Sequence, residues 1–285
     1  MDVSCRSRLR ELFFESRVPL KNGSLPKRTL SLSKCLRNYT KYAVRFDRLS
    51  QADSTTAYLQ FEFLEDPSIL FCLLRIEIMI CIIDYNAGNL TSVKRALDHL
   101  GIANVISADP QTIANADRVI FPGVGHAASA MATIKERHID ESLKAAFAQG
   151  KPILGICLGT QIILSHTQEG DTDTLSLIPG QTKRFTFSDP TTKIPHMGWN
   201  GVQIVKPHPL LKNISSNSEM YFVHSFYPVP DDSSAIHATC EYDNITFAAA
   251  IGSKNLFATQ FHPEKSGELG LSILSAFAKW DGAPC

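Results

Sequence analysis

A cysteine stands in a short, glycine-flanked segment whose residue types suit nucleophilic catalysis. Residues 155–159 read Gly-Ile-Cys-Leu-Gly, the cysteine counterpart of the G-x-S-x-G nucleophile elbow. The flanking glycines let neighbouring backbone approach a tight turn where a Cβ would clash. A helix N-terminus after the turn favours a thiolate, and the Leu158 N–H can donate to an oxyanion. The pattern predicts that Cys157 is a nucleophile; the alternative is an inert cysteine buried at a strand–helix junction.

A histidine and a glutamate, two positions apart, follow a second apolar segment. Residues 256–261 predict a strand, and His262-Pro263-Glu264 comes directly after it. In an extended chain residues i and i+2 project to the same side, so the carboxylate can orient the imidazole. That pairing beside a nucleophile is the logic of a catalytic triad. We therefore predict a triad with Cys157, and Gln161 lies one helical turn beyond this cysteine, near the same site.

The elements around these segments must bring them together. From Met79 onwards, short apolar runs alternate with helical periodicity, which is typical of βαβ units and a parallel sheet. Strands are predicted at 79–83, 104–107, 118–121 and 152–156, and helices at 91–100, 110–115, 127–137 and 140–149. Further strands are predicted at 181–187, 201–205, 220–223, 236–240, 246–251 and 256–261, and a last helix at 267–280. The predicted fold is α/β, an open and mostly parallel sheet flanked by helices, with extra strands in the second half.

Composition excludes several classes of protein. The 285 residues carry 28 Lys/Arg and 28 Asp/Glu, so no overall field favours nucleic acid or a membrane surface. The longest apolar run, residues 69–83, is interrupted by Arg75 and Glu77 and is too short to span a bilayer. Seven cysteines without a CxxC or Cys/His cluster argue against a disulfide framework or a zinc site. We expect a reducing, cytoplasmic location and no metal.

The first 78 residues differ from the rest. Residues 1–48 hold twelve Lys/Arg against four Asp/Glu and show weak periodicity. Three interpretations stay open: an organelle transit peptide, a disordered or poorly ordered extension, and a misassigned start upstream of a true start at Met79. The predicted organisation is an extension of unknown structure at 1–78 and one domain at 79–285.

Motifs along residues 79–281 resemble those of the class I, triad-type glutamine amidotransferases, which have a flavodoxin-like fold. Within that class they resemble the glutaminase subunit of imidazole glycerol phosphate synthase. The motifs are the opening Ile-Asp-Tyr-Asn-Ala-Gly-Asn-Leu at 83–90, the oxyanion strand at 122–125, the nucleophile and His/Glu motifs at 155–161 and 261–266, and the most specific, Pro-His-Met-Gly-Trp-Asn, at 195–200. Two positions depart from the pattern, with Asn86 in place of a frequent glycine and Phe226 in place of a frequent tyrosine.

The resemblance implies a role for each matching residue. The catalytic set would be the nucleophile Cys157, the acid/base His262 and its orienting partner Glu264. The oxyanion hole would be built from Gly123, Val124, Gly125 and Leu158. Glutamine would be held by Gln161, Glu169, Ser225 and Phe226. The interface with a partner subunit would include Asn89, Trp199 and Lys265.

The implied reaction is the hydrolysis of glutamine to glutamate and ammonia without a cofactor. The ammonia would pass to a cyclase subunit, in a heterodimer that serves histidine biosynthesis, with no nucleic-acid or membrane partner. The alternatives are a class I amidotransferase for anthranilate, GMP or pyridoxal phosphate synthesis, and a non-catalytic regulatory subunit with the same fold. A cysteine peptidase of related fold is a further alternative, against which Gln161 favours glutamine as substrate.

Overall fold

The computed structural model describes residues 50–51, 57–58, 78–86 and 88–283. Strands β1 (Ser50–Gln51) and β2 (Ala57–Tyr58) pair antiparallel and belong to a unit that covers 1–76. All other elements belong to a second unit, 77–285. Apart from these two strands and Ile78, the predicted extension lies outside the described residues. Its three interpretations and the division into an extension and a domain stay predictions.

The first half of the second unit alternates strands and helices. Its elements follow in the order β3 (Ile80–Ile83), α1 (Leu90–His99), β4 (Asn104–Ser107), α2 (Pro110–Asn115), β5 (Arg118–Gly123), α3 (Ala127–Glu136), α4 (Ile139–Ala148), β6 (Ile153–Cys157) and α5 (Leu158–Ile162). Strands β3, β5 and β6 are buried at every position. Strands of a parallel sheet are buried at every position because helices cover both faces of the sheet.

The second half consists mainly of strands. Its elements are β7 (His166–Thr167), β8 (Thr172–Asp173), β9 (Gly180–Arg184), β10 (His196–Ile204), β11 (Ser218–His224), β12 (Phe226–Pro230), β13 (Ile236–Tyr242), β14 (Ile245–Ser253), β15 (Leu256–Thr259) and α6 (Gly267–Phe277). Short 3₁₀ turns occur at Pro209–Leu211, Ser233–Ala235 and Pro263–Lys265. Among the described residues, no helix is both long and apolar enough to cross a membrane.

The main sheet has nine strands in the order β11-β10-β13-β14-β15-β6-β5-β3-β4. The strands from β15 to β4 are parallel, and those from β11 to β15 pair antiparallel, so the sheet is mixed. A smaller sheet has the order β12-β9-β7-β8. One core cluster lies on each face of the main sheet, and adjacent residues of β6, Ile153 and Leu154, belong to opposite clusters. The predicted α/β sheet with extra strands in the second half is confirmed.

The structure differs from the sequence prediction mainly at strand ends. Strand β5 continues through Pro122 and Gly123, two residues beyond its predicted end at residue 121, because β6 pairs with both of them. Strand β10 starts at His196, five residues before the predicted start, because β11 supplies hydrogen-bonding partners along its length. Strand β12 was not predicted, since prolines 228 and 230 weaken the strand pattern.

Candidate active site

Cys157 occupies a strained turn between β6 and α5. Its φ of 54° and ψ of −103° lie in a region that a residue with a Cβ rarely adopts. A Cβ at Gly159 would overlap the carbonyl oxygen of Phe121, so only glycine lets α5 pack this closely on β5. The surrounding packing therefore holds the cysteine in the conformation of a nucleophile elbow. Because α5 has only five residues, its dipole adds little to the electrostatics of the thiol.

The neighbours of β6 bring the other predicted groups to the same edge of the sheet. In β5, Gly123 is the register partner of Cys157. On the other side, Thr259 at the end of β15 is the register partner of Ile156. All three strands are parallel, so their carboxyl ends meet at one edge. The oxyanion segment and the His262 segment thus flank the cysteine.

His262 and Glu264 form a buried pair. Nδ1 of His262 lies 2.7 Å from Oε1 of Glu264, and the two side chains are 1% and 0% exposed. The prediction placed both residues in extended chain. It is confirmed for His262, at φ −99° and ψ 97°, but it was wrong for Glu264. Strand β15 ends at Thr259, and Glu264 lies in the 3₁₀ turn Pro263–Lys265. The turn, which Pro263 opens with its restricted φ, brings the carboxylate back onto the imidazole.

Several contacts hold this pair in place. The His262 N–H donates to the Tyr221 carbonyl at 2.9 Å, and the Ser266 hydroxyl donates to the His262 carbonyl at 2.6 Å. Asn89 Nδ2 donates to Oε1 of Glu264 and lies 3.4 Å from His262 Nδ1. The structure thus places Asn89, which was predicted for the partner interface, directly beside the imidazole–carboxylate pair.

The protonation of His262 responds to two opposing influences. Burial lowers the pKa of its imidazole, but the charge and proximity of Cys157, followed by Glu264, outweigh burial and raise the pKa to about 10. Within the described part of the chain, Nε2 of His262 is buried and has no hydrogen bond of ordinary geometry, although its closeness to Cys157 contributes to the raised pKa. The imidazolium is therefore the form expected at neutral pH, ready to donate a proton.

A cavity of about 280 Å³ opens beside the cysteine. Its lining consists of Val124, Gly125, Cys157, Leu158, Gln161, Glu169, Pro195, Val223, His224, Ser225 and Phe226. The structure therefore brings together all four residues predicted to hold glutamine with three of the four predicted for the oxyanion hole. The fourth, Gly123, pairs with Cys157 in the sheet. A second cavity, of about 320 Å³, is lined by other residues, including Lys206, His237 and Lys254, and holds none of the predicted site residues.

Sequence reasoning missed two polar neighbours of the sulfur, one a side chain and the other a backbone carbonyl. Gln260 is fully buried, and its Nε2 lies 3.7 Å from Cys157 Sγ. Its Oε1 accepts from Gln161 Nε2 at 3.2 Å. A signal was present, since Gln260 is a polar residue after an apolar strand and precedes His262 by two positions. The Val223 carbonyl, 3.9 Å from the sulfur, had no such signal because it is backbone.

The two other predicted interface residues lie at the surface. Trp199 is 53% exposed and Met197, on the same side of β10, is 63% exposed. The Tyr221 ring centroid lies 6.0 Å from that of Trp199, and Lys265 Nζ lies 5.9 Å from the Tyr221 centroid. We call Met197, Trp199, Tyr221 and Lys265 the β10 patch. It adjoins the candidate active site, because the Tyr221 carbonyl accepts from the His262 N–H.

Known proteins are similar to this chain in sequence and in fold. The family model of glutamine amidotransferase class-I matches residues 81–279. An imidazole glycerol phosphate synthase subunit HisH from Nitratidesulfovibrio vulgaris is 51% identical over 204 residues, 70% of this chain and 95% of that protein. The subunit of the same name from Chlorobaculum tepidum is 42% identical over 203 residues, 71% of this chain and 100% of that protein.

Solved structures share the fold at low sequence identity. A putative GMP synthase component from Thermoplasma acidophilum superposes with a TM-score of 0.56 at 19% identity, covering 71% of this chain and 93% of that one. PurLQS from Thermotoga maritima gives a TM-score of 0.55 at 18% identity, covering 72% and 99%. The fold, the cysteine elbow and these relatives lead to one conclusion: the chain belongs to the class-I glutamine amidotransferases, in the group of the HisH subunits.

Proposed function

We propose that this chain is the glutaminase subunit of an imidazole glycerol phosphate synthase and hydrolyses glutamine with Cys157, His262 and Glu264. The observation that carries the proposal is the pairing of β6 with β15, which sets a buried His–Glu pair beside a cysteine at φ 54°. The relatives bear the name of this synthase subunit, which supports its assignment to histidine biosynthesis.

In the first half of the proposed reaction, the Cys157 thiolate attacks the side-chain carbonyl carbon of glutamine. The tetrahedral intermediate carries an oxyanion, for which Gly123, Val124, Gly125 and the Leu158 N–H form the proposed binding site. As the first residue of α5, Leu158 has no intrahelical acceptor for its N–H. The His262 imidazolium then donates its Nε2 proton to the amine, ammonia leaves, and a thioester forms.

In the second half, water hydrolyses the thioester. Neutral His262 now takes a proton from the attacking water, and collapse of the second intermediate releases glutamate and the thiolate. Glu264 keeps the imidazole oriented and stabilises its charged form throughout, as the carboxylate of a triad does. Asn89 supports Glu264 by donating to the same carboxylate oxygen.

The glutamine-binding assignment rests on the chemistry of the cavity lining. Glu169 offers a carboxylate, suited to the substrate ammonium, and its Oε2 is anchored by the Ala127 N–H at 2.7 Å. Gln161 and the backbone around Ser225 and Phe226 add neutral hydrogen-bonding groups to the cavity lining. A cavity of about 280 Å³ is of a size for one amino acid rather than a polypeptide.

The partner in this proposal is the cyclase subunit, bound as a heterodimer in the cytoplasm. The β10 patch supplies large exposed side chains next to the catalytic histidine, and exposed aromatic groups are typical of interface anchors. Ammonia released at Cys157 would pass directly into the partner.

The test is to measure glutamate release by the full chain, with and without the cyclase partner. We expect Cys157→Ala to lower glutaminase turnover by about a thousandfold or more, while synthesis by the complex from free ammonia continues. Cys240→Ala is the control, because Cys240 is also buried and free but lies in β13. Unchanged turnover in Cys157→Ala would refute the triad.

A further inference from the structure

Two buried histidines link strand β10 to the candidate glutamine site. His196 Nδ1 lies 3.1 Å from His224 Nε2. On one side, Asn200 Nδ2 lies 3.3 Å from His196 Nε2. On the other side, His224 Nδ1 lies 2.8 Å from the Phe226 carbonyl oxygen. The histidines are only 3% and 5% exposed, so water competes little for these hydrogen bonds.

The direction of each hydrogen bond in this series follows from the acceptor at its end. Burial lowers the pKa of His196 to about 4 and that of His224 to about 3, so each ring is neutral and carries one hydrogen. The Phe226 carbonyl can only accept, which puts the hydrogen of His224 on Nδ1. His224 Nε2 then accepts from His196 Nδ1–H, and His196 Nε2 accepts from the Asn200 amide. That amide also donates to the Glu241 carbonyl at 2.8 Å, which is consistent with its orientation.

The Phe226 carbonyl accepts a second hydrogen bond, from Gln161 Nε2 at 2.8 Å. The other hydrogen of this Nε2 points to Gln260 Oε1 at 3.2 Å. Both hydrogens are thus committed to protein acceptors, so the Gln161 amide presents its oxygen to a bound molecule. Gln161, His224 and Phe226 all line the cavity beside Cys157. The orientation of the Gln161 amide therefore determines whether it presents a hydrogen-bond acceptor or a donor to a molecule bound there.

We propose that His196 and His224 are positioning residues for glutamine binding, forming with Asn200 a relay that fixes the Phe226 carbonyl and thereby orients the Gln161 amide. The inference rests on the proposed function, since it takes glutamine as the substrate. In the part of the chain that the structure describes, Asn200 does not line the cavity, and its amide meets the relay at His196 Nε2. We therefore expect an effect of Asn200 on substrate affinity to pass through the relay.

The first experiment separates KM from kcat in the full chain, in the presence of its cyclase partner. His224→Leu removes the donor to Phe226, and we expect the KM for glutamine to rise about tenfold while kcat changes less than about threefold. His224→Asn places an amide N–H near the position of Nδ1 and should restore most of the affinity. Asn200 is partly exposed, so Asn200→Leu should perturb packing less than a substitution of the buried His224. We expect it to raise KM about threefold.

A double-mutant cycle tests the connection itself. If the relay acts as one unit, Asn200→Leu adds no further rise in KM once His224→Leu is present. Fully additive effects on log KM would overturn the relay. A wild-type chain without glutaminase activity would instead refute the proposed function, so the two failures are distinguishable.

Labelling of Cys157 provides a readout that does not depend on turnover. A chloroketone analogue of glutamine should alkylate Cys157 several-fold more slowly in His224→Leu, whereas iodoacetamide should react at the wild-type rate. The matched control is His208→Leu, since His208 is also buried and contacts a second histidine, His237, at 5.0 Å between ring centroids. Equal loss of affinity in this control, or an unchanged KM in His224→Leu, would contradict the proposal.

Discussion

Thr259 and Ile156 are register partners in neighbouring parallel strands, and each precedes a segment of the candidate active site. Cys157 follows Ile156 directly, and His262 follows Thr259 after two further residues. About 100 residues of chain separate the two segments, yet the sheet register sets them side by side. The predictions below test what this arrangement requires of individual residues.

Replacement of Glu264 by glutamine should reduce catalysis and leave substrate binding intact. The buried carboxylate accepts at 2.7 Å from His262 Nδ1 and supports its charged form, whereas an amide cannot carry the compensating charge. We expect kcat to fall on the order of a hundredfold or more, with little change in KM. Steady-state kinetics of glutamate release measure both constants. Glu268→Gln is the control, because Glu268 is exposed in the first turn of α6 and should behave as wild type.

Replacement of Gly159 by alanine should destabilise the fold. The added Cβ would overlap the Phe121 carbonyl oxygen, so α5 must move away from β5 and the cysteine turn with it. We expect a loss on the order of 1–3 kcal/mol in the free energy of unfolding, measured by urea denaturation. Gly201→Ala is the matched control, because its Cβ would meet Asn217 Cα at an ordinary 3.5 Å. Equal stability of the two variants would show that the close packing at Gly159 is unimportant.

Acid should destabilise the protein through its buried neutral histidines. Burial lowers the pKa of His196 to about 4 and those of His208 and His224 to about 3, against 6.5 for the ordinary side chain. Below pH 6.5 these histidines become protonated in the unfolded chain but stay neutral in the folded chain. The free energy of unfolding therefore falls as the pH drops from 6.5 towards 4. Each histidine contributes up to about 2 kcal/mol of this loss at pH 5.

Thermal unfolding between pH 7.5 and 5 measures this loss. The contribution of His262 to stability depends on pH in the opposite direction, because its pKa is raised in the folded chain. This contribution is complete below pH 6.5 and fades as the pH rises towards 10. His208→Gln should show a shallower dependence on pH than wild type. A melting temperature that stays constant down to pH 5 would exclude the buried neutral state.

Replacement of Trp199 by alanine should weaken the affinity for the cyclase subunit. The indole is 53% exposed and contacts Tyr221, which adjoins the His262 segment, and aromatic anchors of this kind often dominate interface energies. We expect the Kd, measured by titration calorimetry with a cyclase subunit, to rise at least about tenfold. Val205→Ala is the control, since Val205 is similarly exposed, at 56%, directly after β10. A comparable loss in the control would mean that the β10 patch is not the specific contact.

Much of the fold followed from patterns that are local in the sequence. Strand β4 and helix α2 have the predicted bounds, because an apolar run and a proline-started helix are each decided by neighbouring residues. Strand ends were less predictable. Strand β10 gains its first five residues from pairing with β11, which no local pattern of residues 196–200 indicates.

The sequence alone determined the chemical groups of the candidate site. A glycine-flanked cysteine and a His-x-Glu segment indicate nucleophilic catalysis because the turn and the proton transfer require those residue types. Only the tertiary structure decided how they meet. The 3₁₀ turn at Glu264, the contact of Asn89 with the carboxylate and the hydrogen bonds through His196 and His224 depend on sheet register and burial. These depend on residues distant in the chain, so neither spacing nor residue type could reveal them.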